Sequence, residues 1–305
     1  YNSSRLGFRG TEDLGGGMSA SFWLEAGVNN DDGTGQSSST NNQASGTGST
    51  GAGTQGLTFR RRSTVSLAGN WGEVRLGRDY TPQFWNLTVF DPFGTNGVGT
   101  TQTLNSIITG PTAVRASNSL GYFLPGNLGG FYGQYQHYLG ENPSGVPNDG
   151  TGDGLRLGLA NGPINVALAV SETKNTAAGL DAKIKRNNVG AQYDFGVAQL
   201  MGHYSWDQLG DTKARGWLLG GLVPLGAGQI RLAYSEYKVK LGAQPKSQKW
   251  ALGYVHNLSK RTALYATYAN VRNKNGAAAP VSSGAGNPGV NKKSDGFDLG
   301  IRHSF

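Results

Sequence analysis

Residues 58–67 read "TFRRRSTVSL". Val65 and Leu67 alternate with Thr64 and Ser66, which is the period of a half-buried β-strand. Three arginines, Arg60, Arg61 and Arg62, lead into it. With Val65 and Leu67 on the apolar face, parity places Thr64, Arg62 and Arg60 on the polar one. Arg61 then points to the apolar side, toward lipid headgroups or a subunit interface. A β-bulge would exchange Arg61 with its neighbours, which keeps it a candidate for the polar face.

The two-faced pattern recurs along the chain. In "SRLGFRG" Leu6 and Phe8 oppose Arg5 and Arg9, and in "SASFWLEAG" Phe22 and Leu24 oppose Trp23 and Glu25. In "RASNSLGYFL" Leu120 and Tyr122 oppose Arg115, Ser117 and Ser119; in "INVALAV" the aliphatics oppose Asn165. The same parity turns Arg75, Arg186 and Arg231 to the polar side.

The connections alternate in length. Short ones, "GTEDLGGG" (10–17), "NWG" (70–72), "PGNLGG" (125–130), "NGP" (161–163), "DFG" (194–196), "PLGAG" (224–228) and "NLSKR" (257–261), are interleaved with longer polar ones. The longer ones cover 29–57, 80–114, 141–153, 175–183, 209–214, 241–247 and 273–294. Tight turns at one rim and loops at the other describe an up-and-down membrane barrel. A Greek-key sandwich has no reason to sort its connections this way. The expected fold is all-β, a transmembrane antiparallel up-and-down β-barrel forming a single domain over 1–305. Fifteen strand segments are legible. Bacterial barrels close on an even number, so sixteen are expected, with the first strand absent from a chain that opens mid-pattern. Small polar residues do not fill so wide an interior, which leaves a water-filled lumen and an apolar face against lipid. Tyr122, Trp206, Trp217, Tyr234, Trp250, Tyr254 and Phe305 stand near strand ends, as interfacial girdles require.

Composition excludes other classes. Only 36% of the 305 residues are hydrophobic, 50 are glycine and none is cysteine. Disulfides, thiolate metal sites and cysteine nucleophiles are therefore out. No apolar run approaches the ~20 residues of a membrane-spanning helix. The formal charge of +8 suits nucleic acid, an anionic surface or small anions. Nucleic acid would need a basic stripe on an outer face, and most cations alternate inward, so no nucleic-acid partner is expected. "NDGTGDG" (148–154) spaces Asp149, Thr151 and Asp153 like a calcium loop, but Ala160 stands where the pattern needs Glu, so no metal is expected. His137, His203, His256 and His303 fit no zinc spacing, and His203 and Asp207 lie ~13 Å apart along one strand. Neither an enzyme nor a cofactor is expected.

Four blocks in order, "SRLGFRGTEDLGGGMSASFWLE", "RRSTVSLAGNWGEVRLGRD", "LGYVHNLSKRTALY" and the terminal "LGIRHSF", together resemble the Gram-negative trimeric porins, nearest the anion-selective porins of β-proteobacteria. The resemblance runs from Arg5 to Phe305. "FDLGIRHSF" resembles the C-terminal signal of outer-membrane barrels, with Phe297, Leu299, Ile301, His303 and Phe305 on one face. It implies a homotrimer in the outer membrane, with extracellular loops and periplasmic termini, amid lipid and lipopolysaccharide. The third external loop, about 80–114, would fold into the lumen, and 29–56 would reach over a neighbouring subunit. Arg5, the "RRRS" block and Arg115 match the family's constriction arginines, with Glu25 facing them. Together with parity this gives an anion path of Arg5, Arg9, Arg60, Arg61, Arg62 and Arg115, countered by Glu25 and Asp91. The implied function is passive, anion-selective diffusion. A channel specific for small organic anions or phosphate would show an aromatic track, and a structural or adhesive barrel a narrow lumen.

Overall fold

A computed structural model describes residues 2–39, 42–43, 56–105, 112–142, 148–176, 182–282 and 284–305. Fifteen strands follow one another: β1 (Arg5–Gly15), β2 (Met18–Gly27), β3 (Arg62–Gly69), β4 (Gly72–Tyr80), β5 (Arg115–Phe123), β6 (Phe131–Tyr138), β7 (Gly152–Asn161), β8 (Ile164–Asn175), β9 (Ala182–Asp194), β10 (Gln199–Leu209), β11 (Thr212–Leu225), β12 (Gly228–Lys240), β13 (Lys246–Asn257), β14 (Thr262–Lys274) and β15 (Lys293–His303). Each pairs antiparallel with the next in a single sheet. The sixteenth strand expected from the even-number rule is not among the described residues.

The sheet curls back on itself. Ser3, before β1, donates to Asn96 Oδ1 at 3.3 Å. Asp298 on β15 accepts the Val98 N–H at 2.8 Å. One short segment thus touches both ends of the sheet, as a barrel requires. Outer positions stay exposed and apolar, Val65 at 56% and Leu299 at 74%. Inner ones are polar and covered, such as Thr64, Ser171 and Ser205.

Three features depart from the sequence reading. "GTEDL" is strand, because Thr11, Glu12 and Asp13 pair with Ser21, Ala20 and Ser19. The turn is confined to the glycines that follow, with φ of 77°, 61° and 78° at Gly15, Gly16 and Gly17. The 209–214 connection, expected to be long, is the two-residue turn between Leu209 and Thr212, which pair directly. Finally, the cations do not mostly alternate inward. Lys213, Arg215, Lys240, Arg272 and Lys274 occupy exposed, outward positions near the long-loop rim. Outward parity there follows from Trp217, Tyr234 and Tyr268, which share their strand faces and are exposed.

The segment between β4 and β5 turns inside the sheet. It opens with helix α1 (Pro82–Val89), started by Pro82, whose missing N–H costs nothing in a first turn. A 3-10 turn, Gln102–Asn105, follows. Asn86 Nδ2 donates to Ala167 O at 3.1 Å and to Asn188 Oδ1 at 2.8 Å, which fixes α1 to β8 and β9. Farther along, Gln102 N–H donates to Ser235 Oγ at 3.0 Å. Phe93 and Val98 pack with Ala251, Ala269, Val271 and Val281 in one buried cluster. Lys249 Nζ clamps it, donating to Thr100 O at 2.9 Å and Val281 O at 2.7 Å.

Glycine makes room for this segment. A Cβ on Gly253 would stand 3.0 Å from Phe93 Cε1, and one on Gly190 would meet the Phe90 ring head on. Gly190→Val therefore overpacks the berth by about 1–3 kcal/mol. We expect a lower melting temperature together with an altered single-channel conductance. An unchanged thermal transition would show that Phe90 does not depend on the glycine.

Candidate functional site

A cavity of about 810 Å3 lies between the inner wall of β1–β7, joined by Arg231 of β12, and the 81–114 segment. Its lining holds seven arginines, Arg5, Arg61, Arg62, Arg75, Arg115, Arg156 and Arg231, against two carboxylates, Glu25 and Asp79. The formal surplus is five positive charges. From 81–114 the lining takes Phe84, Trp85, Thr88, Phe93, Thr95 and Asn96, and no acid. One wall is cationic and the facing wall is neutral.

The start of β3 sets the cationic wall. Glu25 lies opposite Arg62 in the ladder, yet its carbonyl also accepts the Arg61 N–H at 3.0 Å. Two residues against one is a bulge, and across a bulge strict alternation fails. Arg61 therefore turns inward, not toward lipid or a subunit interface. Its Nε donates to Glu25 Oε1 at 2.6 Å and its Nη2 to the Tyr80 hydroxyl at 3.2 Å. Arg5 also meets Glu25, at 3.7 Å. Arg115 donates from Nε to Arg61 O at 2.7 Å and from Nη2 to Tyr80 Oη at 2.9 Å.

Aromatic faces hold the guanidinium planes. Arg62 lies 4.2 Å from the Trp23 centroid, Arg75 4.0 Å from Phe123, Arg115 4.4 Å from Tyr80 and Arg156 4.7 Å from Tyr132. A ring face attracts a cation without cancelling its charge. Arg75 is neutralised besides, by Glu73 at 2.9 Å and Asp79 at 2.6 Å. Arg115 and Arg156 meet no carboxylate among the described residues. The arrangement offers an anion ordered, fully charged donors in a polar lumen.

A family model described as Gram-negative porin matches residues 1–276. The chain belongs to the Gram-negative porins. This porin is 37% identical over 319 residues to outer membrane porin protein 32 of Delftia acidovorans, covering 100% of this chain and 85% of that protein. It superposes on an anion-selective porin from Comamonas acidovorans with a TM-score of 0.86 at 36% identity, covering 99% of this chain and 90% of that one. With the trimer form of OmpT from Vibrio cholerae it shares the fold alone, at a TM-score of 0.69 and 14% identity over 99% and 91% of the two chains. It is an outer-membrane channel protein.

The other residues read from the porin's sequence fall elsewhere. Arg60 leaves the lumen that parity gave it: Nη1 donates to Gln36 Oε1 at 3.1 Å, under the segment after β2. Burial pushes its basicity down from the ordinary arginine value, and neighbouring Arg61 adds to that. Arg9 lies over Trp23, 5.4 Å from the centroid, outside the cavity lining. Asp91 is not a counter-charge to the arginines. It is 4% exposed, and its oxygens accept N–H groups of Phe93 at 2.9 Å, Thr95 at 3.2 Å and Thr101 at 2.9 Å. Burial pushes its carboxyl above the ordinary value, while these N–H donors and Lys249 pull it back in part. Arg186 is buried behind 81–114, with Nη1 on Thr112 Oγ1 at 3.2 Å.

Asp149 and Asp153 do not converge on a metal. Asp149 accepts the Thr176 N–H at 2.8 Å, whereas Asp153 accepts from Tyr135 at 2.5 Å and meets His137 at 2.9 Å. Among the described residues no three histidines or carboxylates gather. Half of 29–56, the segment expected to reach over a neighbour, is residues 40, 41 and 44–55, which lie outside the described residues. Arg156 was not read as a path residue, although "LRLGL" alternates Arg156 against Leu155 and Leu157.

Tyr80 joins two of the arginines through one oxygen and one ring face. Tyr80→Phe keeps the face and removes two hydrogen bonds to charged donors, each worth about 1.5–3 kcal/mol. Tyr80→Ala removes both. We expect a graded loss of anion preference, small for Phe and severalfold for Ala, read as reversal potential. Equal effects would show that the ring face does not seat Arg115.

Proposed function

We propose that this porin is a passive, anion-selective channel for small hydrophilic ions and solutes. The observation that carries the reading is the lumen lining, seven arginines against two carboxylates. In this reading 81–114 is the constriction loop, and its neutral face leaves the arginines unopposed. The anion path runs along Arg5, Arg61, Arg62, Arg115 and Arg156. The long-loop rim is extracellular, and outer-membrane lipid and lipopolysaccharide surround the barrel. Three chains associate through the outer face of β1–β5, where Leu6, Phe8, Phe22, Val65, Leu76 and Leu120 are exposed. Nothing in the reading calls for catalysis.

The test is the reversal potential of the purified protein in a planar bilayer under a KCl gradient. An anion-preferring potential supports the proposal; a cation-preferring one sinks it. A second reading has one observation in its favour. Trp85, exposed on the neutral wall, gives it an aromatic face suited to organic anions with an apolar flank. Benzoate that blocks chloride current at low millimolar concentration, where acetate does not, would favour that narrower specificity.

A further inference from the structure

The neutral wall carries a reactive pair. Asn–Gly occurs at 96–97, 161–162 and 275–276. In such a pair the glycine nitrogen attacks the asparagine amide carbon, because no Cβ on the glycine obstructs the approach or the backbone turn it needs. The attack requires a glycine N–H that is free of other bonds. Gly97 N–H has no hydrogen-bond partner among the described residues, and neither has Gly162 N–H. Gly276 N–H is committed, donating to Asn291 Oδ1 at 2.8 Å.

Of these pairs, only Asn96–Gly97 stands at the lumen. Asn96 lines the cavity, and Gly97 beside it is exposed. The pair sits in a tight reversal, with φ of 58° at Gly94 and Thr95 and 64° at Gly97. Asn96 N–H donates to Phe93 O at 3.2 Å, which holds the backbone just before the reacting bond. Ser3 Oγ donates to Asn96 Oδ1 at 3.3 Å, which draws electrons from the amide carbon. The amide nitrogen donates to Gly94 O at 2.6 Å. Breaking that bond lets the side chain swing its carbon onto the Gly97 nitrogen.

We propose that Asn96 is a site of spontaneous deamidation, which slowly puts a carboxylate on the wall that faces the arginines. Gly97 N bonds to Asn96 Cγ, and its proton leaves with the amide as ammonia, closing a five-membered succinimide. Water then opens either carbonyl of the ring, giving aspartate or isoaspartate. One ammonia is exchanged for one water, and no oxidant or reductant takes part. The product is ionised at neutral pH. The formal surplus of the cavity then falls from five to four, and the arginines are no longer unopposed. The effect on selectivity rests on the anion path proposed above; the chemistry does not.

The experiment ages the purified, folded porin for days in mildly alkaline buffer. It is then read by peptide mass spectrometry and by reversal potential under a KCl gradient. Asn96 and Asn161 should convert, with isoaspartate in excess over aspartate, while Asn275 lags severalfold. A carboxylate ~10 Å from the ion path, at an effective dielectric near 40 and about 0.1 M salt, thins chloride and enriches potassium by about 1.7-fold each, so a converted pore loses about threefold in permeability ratio. Fresh Asn96→Asp should show that loss from the start. Aged Asn96→Gln should not drift, because glutamine must close a larger ring and does so slowly. Aged Asn161→Gln should drift like the wild type. An Asn96 that stays amide while Asn161 converts overturns the proposal. So does an Asn275 that converts as fast as Asn96, or conversion at Asn96 with no drift in potential. A cation-preferring wild type whose Asn96 still converts, and which becomes more cation-preferring as it does, would refute the anion path and leave the modification standing.

Discussion

Changing Arg61, Arg62 and Arg115 together to serine should lower the chloride-over-potassium permeability ratio at least tenfold. An anion about 6 Å from one guanidinium, at an effective dielectric near 40, gains roughly 1.4 kcal/mol, about tenfold in local concentration. The triple variant removes three of the seven lining arginines and neither carboxylate, so the formal surplus falls from five to two. It also strands Glu25. With its 2.6 Å partner Arg61 gone, that carboxylate keeps only Arg5 at 3.7 Å and becomes a site for potassium. The measurement belongs at about 0.1 M salt, where the screening length is ~10 Å and lumen charges still act at distance. A ratio within twofold of wild type would show that these arginines hold the wall together without selecting what passes it. Arg75→Ser is the informative contrast. Arg75 is already matched by Glu73 and Asp79, so its loss frees two acids in place of removing one active cation.

The second large effect is at Asp91. Its two oxygens take three backbone N–H groups, at the point where 81–114 reverses direction after α1. Asp91→Ala leaves all three buried without an acceptor, at about 1–3 kcal/mol each. Asp91→Asn preserves the volume, but an amide nitrogen in place of either oxygen faces an N–H donor. Thr95 and Thr101 both use Oδ2, so turning the amide the other way only moves the clash to Phe93. Both variants should therefore destabilise the segment by several kcal/mol, Asn nearly as much as Ala. The expected readouts are flickering single-channel current and faster proteolysis within 81–114, with β-sheet content retained. An Asn variant as quiet as wild type would mean that neither the charge of Asp91 nor its second acceptor oxygen holds the turn.

Much of this was legible beforehand, and the gaps have physical reasons. The barrel was readable because each strand writes its two solvents into alternate residues, as in Leu6 and Phe8 against Arg5 and Arg9. Parity placed Arg62 on the lumen because it pairs with Glu25 in the ladder, and it gave the right side for Arg115 although the β4–β5 register shifts between Ala116 and Ser119. It misplaced Arg61 because a bulge is a backbone event that leaves no mark in the alternation. Asp91 was misread as a counter-charge, although "DPFGT" carries the signature of an aspartate bonding its own backbone two residues on. The outward cations near the long-loop rim were misplaced for a subtler reason. Inward-polar, outward-apolar holds only within the hydrocarbon. At headgroup height the outer face turns polar, so Lys238 and Lys240 continue the face of Tyr234 with opposite chemistry. The course of 81–114 was beyond reading, since bonds such as Asn86 to Asn188 join residues that nothing local relates.

The ring seats beneath the arginines have a kinetic consequence. A guanidinium held over the ring of Trp23 or Tyr80 has already lost much of its rotational freedom before an ion arrives, so it does not swing out to follow and wrap its guest. Transit becomes a series of hops between fixed stations, each too rigid to trap. Lysine brings the same charge on a stem with no planar surface to rest on. Arg62→Lys and Arg115→Lys should leave the sign of selectivity intact while lengthening the dwell of a multivalent anion such as citrate, seen as longer current blocks. Dwell times equal to wild type would show that the seats order the wall without setting its speed.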